Sequence, residues 1–212
     1  MTDLAERRGV ETEVYQPAED SHLLAEAAAA DLRGGAEDGP SNDARATVAG
    51  DGRAGRPLVL EVGTGSGYVA AYVAEKTGAR VVGSDLNPHA CAQARERGVE
   101  VVRADLLSAF ADGAFDAVLF NPPYLPTDPE AEQDDWMEVA LSGGESGREV
   151  VEPFLAAVGR VLAPDGAVYL LVSSLAGVEE VVELAADAGF SAVALRDESF
   201  PFETLSVLKL VR

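Results

Sequence analysis

Isoleucine is absent from this 212-residue chain, and Lys76 and Lys209 are its only lysines. Basic residues number 16 against 37 acidic ones, giving a net charge of −21. Surfaces that track nucleic acid phosphates are built from Lys and Arg, so this composition speaks against such a surface. It is expected instead of a halophile, whose acidic surface stays solvated while salt screens its self-repulsion. The single cysteine, Cys91, excludes an internal disulfide and a Cys-rich metal site, so no metal is expected. It reads as a small buried hydrophobe. The two histidines, His22 and His89, fall in expected helices, and a structural role is favoured for both. No apolar run reaches the roughly 18 residues of a membrane span. The first residues lack the basic-then-apolar layout of a signal peptide, and a cytoplasmic location is expected.

Hydrophobic residues make up 47% of the chain, enough for one core. Residues 1–33 form an N-terminal segment with an Ala-rich helix over 18–32, which Asp20 or Ser21 can cap. Residues 34–56 carry Gly, Asp, Ser, Asn and Pro without periodicity and read as a flexible insertion. From residue 57 to 212, strands and helices alternate. Strands are expected over 58–62, 79–83, 99–102, 115–120 and 166–172, and helices over 68–76, 88–97, 148–162 and 178–188. Two final strands, 190–195 and 204–211, have no helix between them and pair antiparallel. The pattern is α/β: a doubly wound, seven-stranded, Rossmann-like sheet with an antiparallel edge.

The first strand runs into Glu61-Val62-Gly63-Thr64-Gly65-Ser66-Gly67. Glycines let the backbone approach a ligand and turn into a helix. Dinucleotide binding wants Gly-x-Gly-x-x-Gly, but here the third glycine comes one residue early. Glu61 adds an anion where a pyrophosphate would be unwelcome, which suits a cationic, phosphate-free cofactor such as S-adenosylmethionine. Asp85, followed by Leu86, closes the second strand and can accept ribose hydroxyls. Asp105 and Leu106 close the third and can hold an adenine amino group and pack on its ring. Each aspartate could instead be a cap or a turn residue.

Asn121-Pro122-Pro123-Tyr124 closes the fourth strand. The Asn121 side-chain oxygen and the Pro122 carbonyl are both acceptors, and together they can take the two N–H bonds of an NH2 group. That turns the lone pair of a planar nitrogen toward an incoming methyl. The prolines stiffen the frame. A Pro-rich turn that merely ends a strand is the alternative.

Together these residues resemble the class I S-adenosylmethionine-dependent methyltransferases, within them the HemK-type glutamine methyltransferases of release factors. The likeness rests on Val14 to Ser21, Glu61 to Gly67, Asp85, Asn121 to Tyr124, Gly143-Gly144, Gly147 to Val150 and Glu203 to Leu208. It is similar to the short eukaryotic and archaeal branch. Gln16 and Ser21 depart from the Glu and Thr most often found there. The resemblance implies that Tyr15, Pro17 and Ser21 cover the cofactor. Glu61, Gly63, Gly65, Gly67, Asp85, Leu86, Asp105, Leu106 and Asn121 bind it. Asn121, Pro122, Pro123 and Tyr124 hold the substrate, with Asn121, Pro122 and Tyr124 catalytic. The implied substrate is the glutamine of the Gly-Gly-Gln motif in a class I release factor. The implied partner is a small zinc-binding activator at the edge of the third strand, against Val99, Val101 and Val102. The four-residue motif would also admit an adenine amine or a lysine, and a scaffold subunit that retains the fold is a further alternative.

Overall fold

The computed structural model describes residues 13–37, 56–127 and 135–212. Its elements, in chain order, are α1 (Glu19–Glu37), β1 (Leu58–Val62), α2 (Tyr68–Thr77), β2 (Arg80–Asp85), α3 (Pro88–Glu96), β3 (Glu100–Arg103), β4 (Phe115–Phe120), α4 (Trp136–Leu141), α5 (Val151–Val161), β5 (Leu162–Ser173), α6 (Val178–Asp187), β6 (Ser191–Ser199) and β7 (Thr204–Val211). The strands form one seven-stranded sheet in the order β3-β2-β1-β4-β5-β7-β6. β3 through β5 run parallel, and β7 lies antiparallel between β5 and β6. The expected doubly wound sheet with its antiparallel edge is therefore present.

Period-two alternation explains the central strands. In β1, Val59 faces one helical layer together with Ala117, Leu119, Tyr169 and Leu171 of the neighbouring strands. Leu60 and Val62 face the other layer with Val118, Phe120 and Leu170. α1, α2 and α3 cover the first face, and α5 and α6 the second. α5 buries Val151, Phe154, Leu155, Val158 and Val161, the helical spacing that gives one apolar stripe. Strands buried on both faces read as apolar runs, which is why β1 and β4 are plain in the sequence.

Several expectations need correction. α1 begins at Glu19 and continues through Gly34 and Gly35 to Glu37, so the insertion cannot begin at residue 34; residues 38–55 lie outside the described residues. Asp20 and Ser21 are inside the helix rather than capping it, since the His22 N–H already donates to the Ala18 carbonyl. The helix expected from residue 148 starts at Val151. α4 was not expected at all. Val99 precedes β3 and is buried in the core, packed close to Gly67, so it is not available to a partner at the edge. β3 itself is an outer strand of the sheet, as expected.

The order reverses between β1 and β4. In an open α/β sheet, ligands bind beyond the carboxyl ends of the strands at such a switch point. The glycine loop after β1 and the Asn-Pro-Pro-Tyr after β4 flank it on either side.

Candidate active site

A cavity of about 450 Å³ opens there, within the size range of small-molecule sites. Of the expected residues, Tyr15, Pro17, Ser21, Glu61, Gly63, Gly65, Asp85, Leu86, Asp105, Leu106, Asn121, Pro122, Pro123 and Tyr124 all line it. Gly67 does not. It has φ +77° and ends the turn into α2, and an added Cβ would sit 2.9 Å from the Ala94 Cβ of α3. The left-handed turn and the approach of α3 both require glycine here.

The β1–β3 half of the cavity is acidic and internally braced. Glu61 is 3% exposed. Its Oε2 accepts the Thr64 hydroxyl at 2.5 Å and the Ala70 N–H at 2.9 Å. Burial pushes its carboxyl up to about 8, against the pull of those two hydrogen bonds. Asp85 accepts the Gly65 N–H on Oδ2 at 2.8 Å and the Asn87 N–H on Oδ1 at 2.9 Å. Burial raises its carboxyl too, opposed by those backbone donors. Asn87 caps α3 by accepting the His89 N–H at 2.9 Å. Its Nδ2 donates to the Glu13 carbonyl at 2.6 Å, which ties the N-terminal strap to the core. Within that strap the Tyr15 hydroxyl donates to Asp20 at 3.0 Å, and Asp20 also lines the cavity. Leu106 is the only non-glycine among the described residues with positive φ, at 43°.

Neither histidine lines the cavity. His22 Nδ1 meets the Tyr68 hydroxyl at 2.6 Å, and His89 Nδ1 lies 3.1 Å from Glu13. Both join the N-terminal strap and helix to the core. Cys91 is buried beneath the same region, and burial raises its thiol.

The β4 half is built differently. Tyr124 is buried, and the chain after it is zipped to residues 141–144. The Leu125 N–H donates to the Leu141 carbonyl at 3.0 Å, the Gly143 N–H to Leu125 at 2.9 Å, and the Thr127 N–H to Gly144 at 3.0 Å. Gly147, at φ +72°, comes so close that an added Cβ would stand 2.7 Å from the Tyr124 carbonyl oxygen. The Glu149 carboxylate accepts the Glu145 N–H at 3.0 Å and so organises the intervening loop. Trp136, Val139, Ala140 and Leu141 of α4 line this half, as do Glu149, Val150 and Pro153. The α4 residues were missed, although Asp135 followed three residues on by Glu138 is a helix-start signature: Asp135 Oδ1 accepts the Glu138 N–H at 2.8 Å. Asn121 Oδ1 is buried and accepts no hydrogen bond from any described residue.

Residues 59–144 match the family model described as a methyltransferase domain. The chain is 32% identical, over 94% of its length and 92% of the other's, to MJ0928 of Methanocaldococcus jannaschii, named a putative protein N5-glutamine methyltransferase. It is 33% identical, over 97% of its length and 92% of the other's, to human methyltransferase HEMK2. Among solved structures it resembles a chain of the E. cuniculi Mtq2–Trm112 complex, responsible for methylation of the eRF1 translation termination factor. That match has a TM-score of 0.69 and 28% identity, and covers 95% of this chain and 99% of the other.

Proposed function

Since the chain belongs to the HemK-type S-adenosylmethionine-dependent methyltransferases, we propose that it methylates the side-chain nitrogen of the Gly-Gly-Gln glutamine in a class I release factor. It acts as the catalytic subunit of a heterodimer in the cytoplasm. The observation that carries this reading is the bare Asn121 Oδ1 at the cavity wall. A buried acceptor without a donor costs about 1–3 kcal/mol. A ligand that brings an N–H into the cavity removes that cost.

The cavity fits the cofactor. Asp20, Glu61, Asp85 and Asp105 line it, and the Gly65 N–H is spent on Asp85, so the glycine loop is not arranged as a phosphate cradle. Asp85 would hold the ribose hydroxyls, Asp105 and Leu106 the adenine, and Glu61, Gly63 and Gly65 the remainder, with Tyr15, Pro17 and Ser21 as cover. Bound S-adenosylmethionine supplies an electrophilic methyl group on a sulfonium. The chain's own contribution is orientation and preorganised polarity. Asn121 Oδ1 and the Pro122 carbonyl accept the two amide N–H bonds, which fixes the nitrogen and turns its lone pair toward the methyl group. Tyr124 packs on the amide plane. The displaced proton leaves to water, and no strong base is called for.

The partner would be a small zinc-binding activator that adds a strand at the β3 edge, where Val101 is half-buried and Val102 exposed. Supporting this is the likeness to a chain solved together with Trm112. Among the described residues no helix is long and apolar enough to cross a membrane. With 37 acidic residues against 16 basic ones, we extend the proposal to a salt-rich cell: the melting temperature rises from millimolar to molar salt, and an unchanged value excludes this.

The deciding experiment incubates the chain, with and without the activator, with labelled cofactor and release factor. Mass spectrometry then locates the label. Label on the Gly-Gly-Gln glutamine is the expected result; label on lysine or on nucleic acid overturns the assignment.

A further inference from the structure

We propose that the turn between β6 and β7, with Phe202 at its tip and Leu175 on the adjoining loop, is a docking surface for the body of the protein that carries the acceptor glutamine. The inference rests on the functional reading above and deepens it. Phe202 is 85% exposed, the most exposed large hydrophobic among the described residues, and Leu175 is 42% exposed. A lone exposed aromatic on a mobile tip would mean little. This tip is held from beneath. The Ser174 N–H donates to the Thr204 carbonyl at 2.8 Å, and the Thr204 N–H donates to the Ser174 hydroxyl at 3.0 Å. The Ser173 hydroxyl donates to Glu203 at 2.7 Å, and the Phe200 N–H donates to the Glu203 carbonyl at 2.8 Å. Large apolar surface on a braced frame, bordered by polar groups, is the composition of an interaction anchor.

Position names the occupant. β7 enters from this turn beside the carboxyl end of β5, with Ser173 opposite Leu205, and β5 lies next to β4. At about 4.8 Å per strand, the turn is displaced about 10–14 Å across the sheet from Asn121, and it projects beyond the same rim. The 173–177 loop is also continuous with the acceptor half of the cavity. The Arg148 guanidinium donates to the Ala176 carbonyl, and Gly147 packs between Ala176 and the Tyr124 carbonyl. A specific protein footprint covers about 800 Å² per partner, a disc of about 16 Å radius. A protein of that footprint that inserts a glutamine beside Asn121 therefore extends along the rim toward Phe202. The β3 edge proposed for the activator is at the opposite side of the sheet. Glu179, in the first turn after the 173–177 loop, and Glu198, opposite Leu205 near the turn, are both exposed, so the docked surface presents an apolar contact rimmed by Lys or Arg.

The test uses the complete heterodimer. Phe202→Ser raises KM for intact release factor about tenfold or more, while kcat and the KM for S-adenosylmethionine stay at wild-type values. Phe202→Trp, which keeps the aromatic anchor, restores KM to near wild type. Unchanged KM for the intact factor in Phe202→Ser overturns the proposal. So does loss of the activator from that variant on size exclusion, which would assign the turn to the other interface. A wild-type heterodimer that transfers no label to the release factor removes the functional reading and the docking surface with it.

Discussion

At the ends of β1 and β2, Glu61 accepts Thr64 and Ala70, and Asp85 accepts Gly65 and Asn87. At the end of β4, Asn121 Oδ1 accepts nothing from any described residue. The two halves of one cavity thus handle polar atoms in opposite ways. The carboxylates of the first half are fixed by short-range backbone and hydroxyl donors before any ligand arrives. Their geometry is preorganised, and the ligand needs only to fit it. The second half fixes the frame instead, through prolines and the zipper from Leu125 to Gly144, and leaves its acceptor bare. On the proposed function, the energetic cost of that acceptor is recovered when the substrate amide binds.

The largest effect should come from breaking the bare half. Asn121→Ala removes one of two acceptors for the amide, and methyl transfer to release factor should fall about a thousandfold in kcat. Cofactor affinity by calorimetry should change little, because the carboxylate contacts stand on other strands. Stability should not fall, since no internal hydrogen bond to Oδ1 is lost and a bare buried acceptor is removed. A variant that keeps wild-type turnover would remove Asn121 from the chemistry.

The contrast also explains what could be read from the residues in order. Gly63, Gly65, Asp85, Asp105 and Asn121 are legible because each closes an apolar run, and the ends of such runs are where an α/β sheet places its ligands. What escaped depends on contacts distant in sequence. Gly67 looks like one more glycine of the loop; only the approach of Ala94 in α3 gives it a different purpose. Val99 looks like the start of an edge strand, yet its side chain packs close to Gly67 in the core. α4 is six residues without a buried face of its own, too short for helical periodicity to register. α1 runs on through Gly34 and Gly35, against the usual meaning of a glycine pair. The bracing of Glu61 by Ala70 depends on how α2 returns over β1, which no local pattern reports.

A second effect, of a few kcal/mol, should separate the braced half by pH. Burial holds the Glu61 carboxyl at about 8, above an ordinary value of 4.5. Below pH 4.5 the folded and unfolded chains both carry the proton, and Glu61 contributes no pH dependence. Between 4.5 and about 8 the unfolded chain ionises while the folded chain keeps its proton, so stability declines through that window. Above 8 the decline is complete. Glu61→Gln cannot ionise in either state. Its unfolding free energy, measured by urea titration, should gain on wild type from pH 5 to pH 8 by roughly 3 kcal/mol. Parallel stability curves would mean that Glu61 is charged in the folded protein, and that the braced half is anionic before any ligand binds.

The smallest effect sharpens the boundary between scaffold and site. Gly67→Ala forces a Cβ into a left-handed turn and to within 2.9 Å of Ala94. Strain of this kind costs about 2 kcal/mol, which lowers the melting temperature of a chain this size by roughly 4–8 °C. Gly63, Gly65 and Asp85 are untouched by the change, so the dissociation constant for S-adenosylmethionine, measured well below the melting transition, should stay within about twofold of wild type. A drop in affinity larger than the drop in stability would return Gly67 to the cavity wall. The outcome expected from its geometry keeps it with α2 and α3, as the residue that lets two helices meet behind the braced half.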